Sequence, residues 1–176
     1  MAKTLYFIHS LMINLVELSK IYQWAKHIDF PLKKAPTAEG YSNKDIYISW
    51  LKGAGKKVFI RRKIMTEEVA NIFLKDEIIF ASFSKFEGGT ILNPHRDPDV
   101  YPVRYKRIQL PITIPNTNHC FMIWNDRKIR WKEGVAQTYP VMDVTHEGYN
   151  LSTKPMEFVM IDVKLDTIVE NETNSQ

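Results

Sequence analysis

Leu11, Leu15, Leu18, Ile21, Tyr22 and Ala25 recur at three- and four-residue spacing, which predicts an amphipathic helix over residues 11–28. Pro31 and Pro36 break that period, so the stretch from Lys33-Lys34 to Gly40 reads as a loop. Asp45–Leu51 and Lys57–Arg62 read as short strands separated by Gly53-Ala54-Gly55. A second helix is expected after Thr66. Its hydroxyl can accept from free amides of the first turn, and Glu67 and Glu68 suit the positive helix end.

From Glu77 onward the pattern changes to short runs of β-branched and aromatic residues punctuated by turn residues. The strands expected are Ile78–Phe86, Thr90–Asn93, Arg107–Ile114, Cys120–Trp124, Lys128–Trp131, Val135–Tyr139, Asp143–His146 and Glu157–Val163, with Asn125-Asp126 as a hairpin turn. So many short strands with no helical period between them predict a mainly β, antiparallel sandwich or jelly roll. The helices of the first third then bury one face of a sheet. The polar stretch Glu170–Gln176 reads as a frayed tail.

Length and composition narrow this further. A chain of 176 residues, 44% hydrophobic and 25% charged, has globular usage and enough length for one sizeable core. The organisation expected is a single domain over 1–176, with a mixed N-terminal part (1–76), a β core (77–165) and a tail (166–176). Lysine and arginine exceed aspartate and glutamate by 24 to 20, a net +4. That surplus is mild, and the basic clusters Lys56-Lys57 and Arg61-Arg62-Lys63 read as solvated charge rather than a nucleic-acid stripe. The lone Cys120 excludes an intrachain disulfide framework and a multi-cysteine zinc site, and fits a reducing compartment. The apolar N-terminus is interrupted by His9, Ser10, Asn14 and Glu17, so it reads as a packing helix, neither signal peptide nor membrane span. The expectation is a cytoplasmic protein without a membrane partner.

Several motifs fail on inspection. Gly53-Ala54-Gly55-Lys56-Lys57 is no phosphate loop, because Trp50 stands at the first glycine position and Lys57 at the magnesium-binding hydroxyl. His95-Arg96-Asp97 matches a kinase tripeptide, but Pro102 occupies the position of the metal-binding asparagine. The acceptor tripeptides at Asn150 and Asn171 mean little without a secretion signal. His95, Asp97 and His146 remain. A histidine and an aspartate two apart on an extended segment point to the same side, and a histidine 51 residues later can complete a triangle of ligands. Two imidazoles and a carboxylate on one face suit iron(II) with three open positions. On spacing alone, a loop histidine beside a capping aspartate explains the same residues.

Gly88-Gly89-Thr90-Ile91-Leu92-Asn93-Pro94-His95, then Arg107-Ile108-Gln109-Leu110-Pro111-Ile112-Thr113-Ile114-Pro115, and later Asp143-Val144-Thr145-His146-Glu147 with its Glu-Gly turn, ending in Phe158-Val159-Met160-Ile161-Asp162-Val163, resemble the aspartyl/asparaginyl β-hydroxylase family of iron(II)- and 2-oxoglutarate-dependent oxygenases. The resemblance covers roughly residues 83–163. It implies a double-stranded β-helix, a cupin-like jelly roll, with the N-terminal helices packed on the sheet. It also implies a dioxygenase that uses Fe(II), 2-oxoglutarate and dioxygen to hydroxylate an amino acid, peptide side chain or other small metabolite. His95 and His146 match the family's iron ligands. Asp97 stands where the best-known members have glycine, and resembles the third ligand of the wider superfamily. Ser84, eleven residues before His95, matches a serine that bonds the co-substrate, and Arg107 with Gln109 matches an Arg-x-His pair that grips a carboxylate. No residue beyond the metal ligands is assigned as acid or base. Tyr101, Arg104, Tyr105 and Trp124 fall near the expected mouth.

One position departs from the family. Ten residues after the distal histidine, where the family places the arginine that neutralises the far carboxylate of 2-oxoglutarate, this chain has Met156. Lys154 (if the strand extends that far), Lys106 or Arg107 are the candidate replacement cations, or the co-substrate is a different one or absent. The alternative is a non-catalytic metal-binding jelly roll that does not turn over 2-oxoglutarate.

Overall fold

The computed structural model describes residues 13–35, 40–53, 59–97 and 103–165, and for 59 and 60 the backbone. The first helix, α1 (Leu15–Ala25), is shorter than its periodicity suggests, and residues 11 and 12 lie outside the described part. It starts with a capping box in which the Asn14 side chain accepts from the Glu17 amide at 2.9 Å and the Glu17 carboxylate accepts from the Asn14 amide at 3.0 Å. Leu18, Ile21, Trp24 and Ala25 are buried, whereas Leu15, in the first turn, is exposed. The second helix, α2 (Glu67–Phe73), opens on Thr66 as expected, its hydroxyl accepting from the Val69 amide at 3.3 Å.

Eleven strands follow in chain order among the described residues: β1 (Lys33–Lys34), β2 (Ile46–Gly53), β3 (Phe59–Ile60), β4 (Ile78–Phe86), β5 (Ile91–His95), β6 (Tyr105–Thr113), β7 (Cys120–Trp124), β8 (Arg127–Arg130), β9 (Gln137–Tyr139), β10 (His146–Asn150) and β11 (Met156–Lys164). They form two antiparallel sheets, a large one ordered β1-β2-β4-β11-β6-β9 with β3 beside β2, and a small one ordered β5-β10-β7-β8. Asn125 and Asp126, with φ of 48° and 61°, make the β7–β8 hairpin turn that the sequence predicts.

The pleat divides the large sheet. Phe83, Ile108, Leu110, Val159 and Ile161 face one way, into a core shared with α1 and α2. Ser82, Ser84, Arg107, Gln109, Met156, Phe158 and Met160 face the other way, toward the small sheet and into the cavity between the layers. The architecture is a jelly roll with two helices on its outer face, and no helix among the described residues is long and apolar enough to cross a membrane.

Four expectations change. The loop read at Lys33–Gly40 contains a short strand, because Lys33 and Lys34 pair with Ile48 and Tyr47, while residues 36–39 lie outside the description. Of the strand expected at Lys57–Arg62 only Phe59–Ile60 is strand, and Arg62–Ile64 winds into a 3-10 turn. The strand expected at Asp143–His146 lies later, at His146–Asn150, because the Asp143 amide bonds back to the Pro140 carbonyl at 3.1 Å and holds residues 141–143 in a turn. Glu147-Gly148 is consequently strand rather than turn. Glycine suits that position because a Cβ there would lie 3.1 Å from the Leu92 side chain. Gly88, by contrast, is a turn residue as expected, and an added Cβ would meet the Thr153 carbonyl carbon at 2.4 Å. The glycine turn read at Gly53-Ala54-Gly55 and the tail at 170–176 fall mostly or wholly outside the described residues.

Candidate metal centre

His95 is the last residue of β5 and His146 the first of β10, and the antiparallel register sets them directly opposite each other. Their rings lie 4.4 Å apart. β5 is an edge strand, so Pro94 within it removes no ladder bond from the sheet interior. Asp97 follows two residues after His95, its amide bonded to the Val141 carbonyl at 3.2 Å. The three side chains offer ligand atoms that all lie within 4.8 Å of one another.

Hydrogen bonds decide which atoms face inward. His95 Nδ1 lies 2.7 Å from the Asn93 carbonyl oxygen and His146 Nδ1 lies 3.2 Å from that of Val144. A carbonyl only accepts, so each Nδ1 donates and each neutral Nε2 keeps its lone pair. The two Nε2 atoms approach Asp97 Oδ1 at 3.7 and 3.6 Å, too long for hydrogen bonds. Three electron-pair donors therefore converge with no proton between them. A divalent cation held at about 2 Å from each satisfies all three. Burial lowers the His95 imidazole's affinity for a proton, against the pull of the Asn93 carbonyl, which favours the ligating form.

The other carboxylate oxygen of Asp97 is also assigned. Asp97 Oδ2 accepts from Arg107 Nη1, and the same guanidinium donates to Asp162 through Nε at 2.7 Å and Nη2 at 2.8 Å. Arg107 and Asp162 are directly opposed on β6 and β11, and the Asp162 side chain is fully buried. Burial alone would raise the Asp97 carboxyl. The Arg107 guanidinium outweighs it and holds Asp97 below the usual carboxylate range, so Oδ1 stays anionic.

A cavity of about 170 Å³ runs inward from this triad. Ser84 lines it, hydroxyl to hydroxyl with Ser82 at 3.2 Å. Gln109 lines it too. The Trp131 indole donates to Gln109 Oε1 at 3.1 Å, which identifies the amide's oxygen and leaves its NH₂ as the donor. Tyr41, from the N-terminal third, stacks on His95 with ring centroids 4.2 Å apart.

The remaining sequence candidates lie elsewhere. Lys154 is exposed in the turn before β11, which starts only at Met156, so the face it was expected to share does not reach it. Lys106 alternates with Arg107 onto the other face of β6, the side of Ile108. Arg107 does line the cavity, but as the partner of two carboxylates. Arg104 pairs with Asp143 at 2.6 Å, and Tyr105 is buried in the core rather than at a mouth. Trp124 sits opposite His146 on β7, packed edgewise against Tyr139, while Tyr101 lies outside the described residues. Asp162, Ser82, Trp131 and Tyr41 were not singled out from sequence. Asp162 carried a signal, a lone charge at the inward parity of Met156, Phe158 and Met160.

Two sheets of a jelly roll with a His-x-Asp and a distal His at one end of the intervening cavity define a class, the cupin-like jelly rolls, with a candidate metal site. The sequence matches the family "Aspartyl/Asparaginyl beta-hydroxylase" over residues 50–165, well over half of the chain, and the protein belongs to that family. No curated protein sequence matches it. Among solved structures, it is similar to an oxidoreductase of the 2OG-Fe(II) oxygenase family from Burkholderia pseudomallei, with TM-score 0.57 and 10% identity, covering 80% of this chain and 76% of that one. It is more distantly similar to a predicted oxalate decarboxylase from Thermotoga maritima, with TM-score 0.48 and 11% identity over 78% and 95% of the two chains. A cupin-2 domain from Rhodospirillum rubrum gives TM-score 0.49 and 7% identity over 78% and 73%. The first of these supports the fold, and the other two carry no argument.

The residues present fit an iron ion, as the unpaired donor set shows. They fit 2-oxoglutarate poorly. Among the described lining residues Arg107 is the one lysine or arginine, and it already holds two carboxylates, while Met156 stands in the wall as a buried thioether. The far carboxylate of that co-substrate would be buried without a free cation, which is costly.

Proposed function

We propose that this protein is an iron(II)-dependent oxygenase that hydroxylates an amino acid, a peptide side chain or another small metabolite. The reading is carried by one observation, the convergence of His95 Nε2, His146 Nε2 and Asp97 Oδ1 without a proton among them. Three protein ligands on one face leave the other positions open to exogenous ligands, the arrangement that suits oxygen chemistry at iron. His95, Asp97 and His146 would hold the iron, which would supply dioxygen activation for insertion of an oxygen atom into a C–H bond. Such insertion needs two further electrons, which a 2-oxo acid provides as it loses carbon dioxide and becomes the next shorter carboxylic acid.

The chain's own residues prepare the site. The Asn93 and Val144 carbonyls fix the imidazole tautomers, and Arg107 holds Asp97 to a single inward oxygen. Asp162 anchors Arg107. Tyr41 covers one face of His95, and aromatic and methionine side chains line the cavity beyond it.

Anaerobic titration with Fe(II) should give one bound equivalent, and His95→Ala, Asp97→Ala and His146→Ala should each weaken binding by about 100-fold or more. Undiminished iron binding in all three variants would sink the proposal. Met156 favours a second reading, a metal-binding jelly roll without turnover. Iron retained with no product formed in the presence of dioxygen and any 2-oxo acid would select it.

A further inference from the structure

The cavity beyond the metal ligands has a charge balance that limits what shares the ion. A divalent ion, the Arg107 guanidinium and the carboxylates of Asp97 and Asp162 together leave a net single positive charge, with both imidazoles counted as neutral metal ligands. Glu147, the other charged lining residue, alternates with His146 along β10, and its carboxylate accepts from the Tyr149 hydroxyl instead. A chelating monoanion brings that buried assembly to neutrality. A dianion leaves one negative charge in excess, and no described lining residue offers a free cation to offset it.

The wall chemistry agrees. His146 and Met156 lie on consecutive strands joined by a turn, four residues above it and at its far side, so they are separated by roughly 13 Å along the strand direction. Between these levels the wall offers the Ser82 and Ser84 hydroxyls and the Gln109 amide, all neutral. Met156 itself is 1% exposed and packs in one core with Phe86 and Phe158. Lys3, Lys56 and Lys57 are the cations outside the described residues.

On the reading that His95, Asp97 and His146 hold iron, we propose that the ligand sharing the ion is a chelating monoanion with an uncharged tail, a 2-oxo monocarboxylic acid rather than the dicarboxylate 2-oxoglutarate. The keto and carboxylate oxygens take open positions on the ion. The tail lies past the serines and Gln109 toward the thioether of Met156, where a hydrocarbon end is matched and a carboxylate is not.

The test compares 2-oxoglutarate with 2-oxopentanoate, which keeps the five-carbon chain and replaces the far carboxylate by a methyl group. Each is titrated anaerobically into the Fe(II)-loaded protein, with binding read from the visible charge-transfer band of the chelate and from calorimetry. The expected result is binding of 2-oxopentanoate tighter by about tenfold or more. Met156→Arg, which supplies a cation where the far carboxylate would end, should tighten 2-oxoglutarate binding and reverse the order. Equal or tighter binding of 2-oxoglutarate by the unaltered protein would overturn the inference, as would iron-loaded protein that binds neither acid. Failure to bind iron at all would instead remove the metal reading on which the inference rests.

Discussion

The two ends of the cavity are made of opposite materials on the same two sheets. At one end His95, Asp97, His146, Arg107 and Asp162 form a charged, hydrogen-bonded cluster in which nearly every polar atom has a stated role. At the other, Phe86, Met156 and Phe158 form ordinary core, with Phe86 and Phe158 edge to face at 5.7 Å. The charged end depends on orientation, since a wrong tautomer or a turned carboxylate removes a ligand. The apolar end depends on volume. Substitutions at the two ends should therefore separate stability from metal binding.

Phe158→Ala should produce the largest loss of stability, about 3–5 kcal/mol in denaturant unfolding, because it empties the space between Phe86 and Trp131. The folded fraction should still bind one iron with little change in affinity. Weakened iron binding there would show that the ends are coupled through packing and would break the comparison. Asp162→Asn is isosteric and keeps one oxygen to accept from Arg107, but it loses the second acceptor and the negative charge, which should cost about 2 kcal/mol. Iron affinity should fall by about tenfold in titrations, since Asp97 loses the fixed position of its partner. An unchanged affinity would mean that Arg107 orients Asp97 without Asp162.

The smallest effect lies outside the cavity. Glu17→Gln keeps the α1 capping bond but removes the charge that Lys75 contacts at 2.8 Å, at a cost of under about 1 kcal/mol. Burial raises the Glu17 carboxyl, but the Lys75 and Asn14 hydrogen bonds outweigh it and leave the group below its usual value. Its contribution is therefore present above the ordinary carboxylate range and lost as the pH falls through the lowered value. Wild-type and variant unfolding curves should converge on acidification, with iron binding at neutral pH unchanged.

The β core and the His-x-Asp spacing were legible because both depend on local alternation. Residues two apart on an extended chain share a side in any sheet, and turn residues mark where strands stop. The shift of a strand from Asp143–His146 to His146–Asn150 was not legible. It depends on a local turn at Pro140–Asp143 and on Leu92 crossing Gly148, a contact between distant segments. Arg107 shows the same limit in chemistry. The family resemblance marked it as a carboxylate binder, but that the carboxylates are Asp97 and Asp162 follows from the β6–β11 register and the path of the chain after β5.

The amino-acid sequence by itself determined that this is a mainly β chain with an amphipathic helix at its start, that two histidines and an aspartate are spaced to share an ion, and that a methionine replaces the family arginine. Those are properties of neighbours along the chain, set by the two-residue period of strands and the chemistry of single side chains. Only the tertiary structure decided that His95 faces His146 across a strand pair, that Tyr41 and Trp131 join the site, and that its one inward guanidinium is already engaged. These depend on strand order and register, which are fixed when both faces of the large sheet find their cover, α1 and α2 on one side and the small sheet on the other.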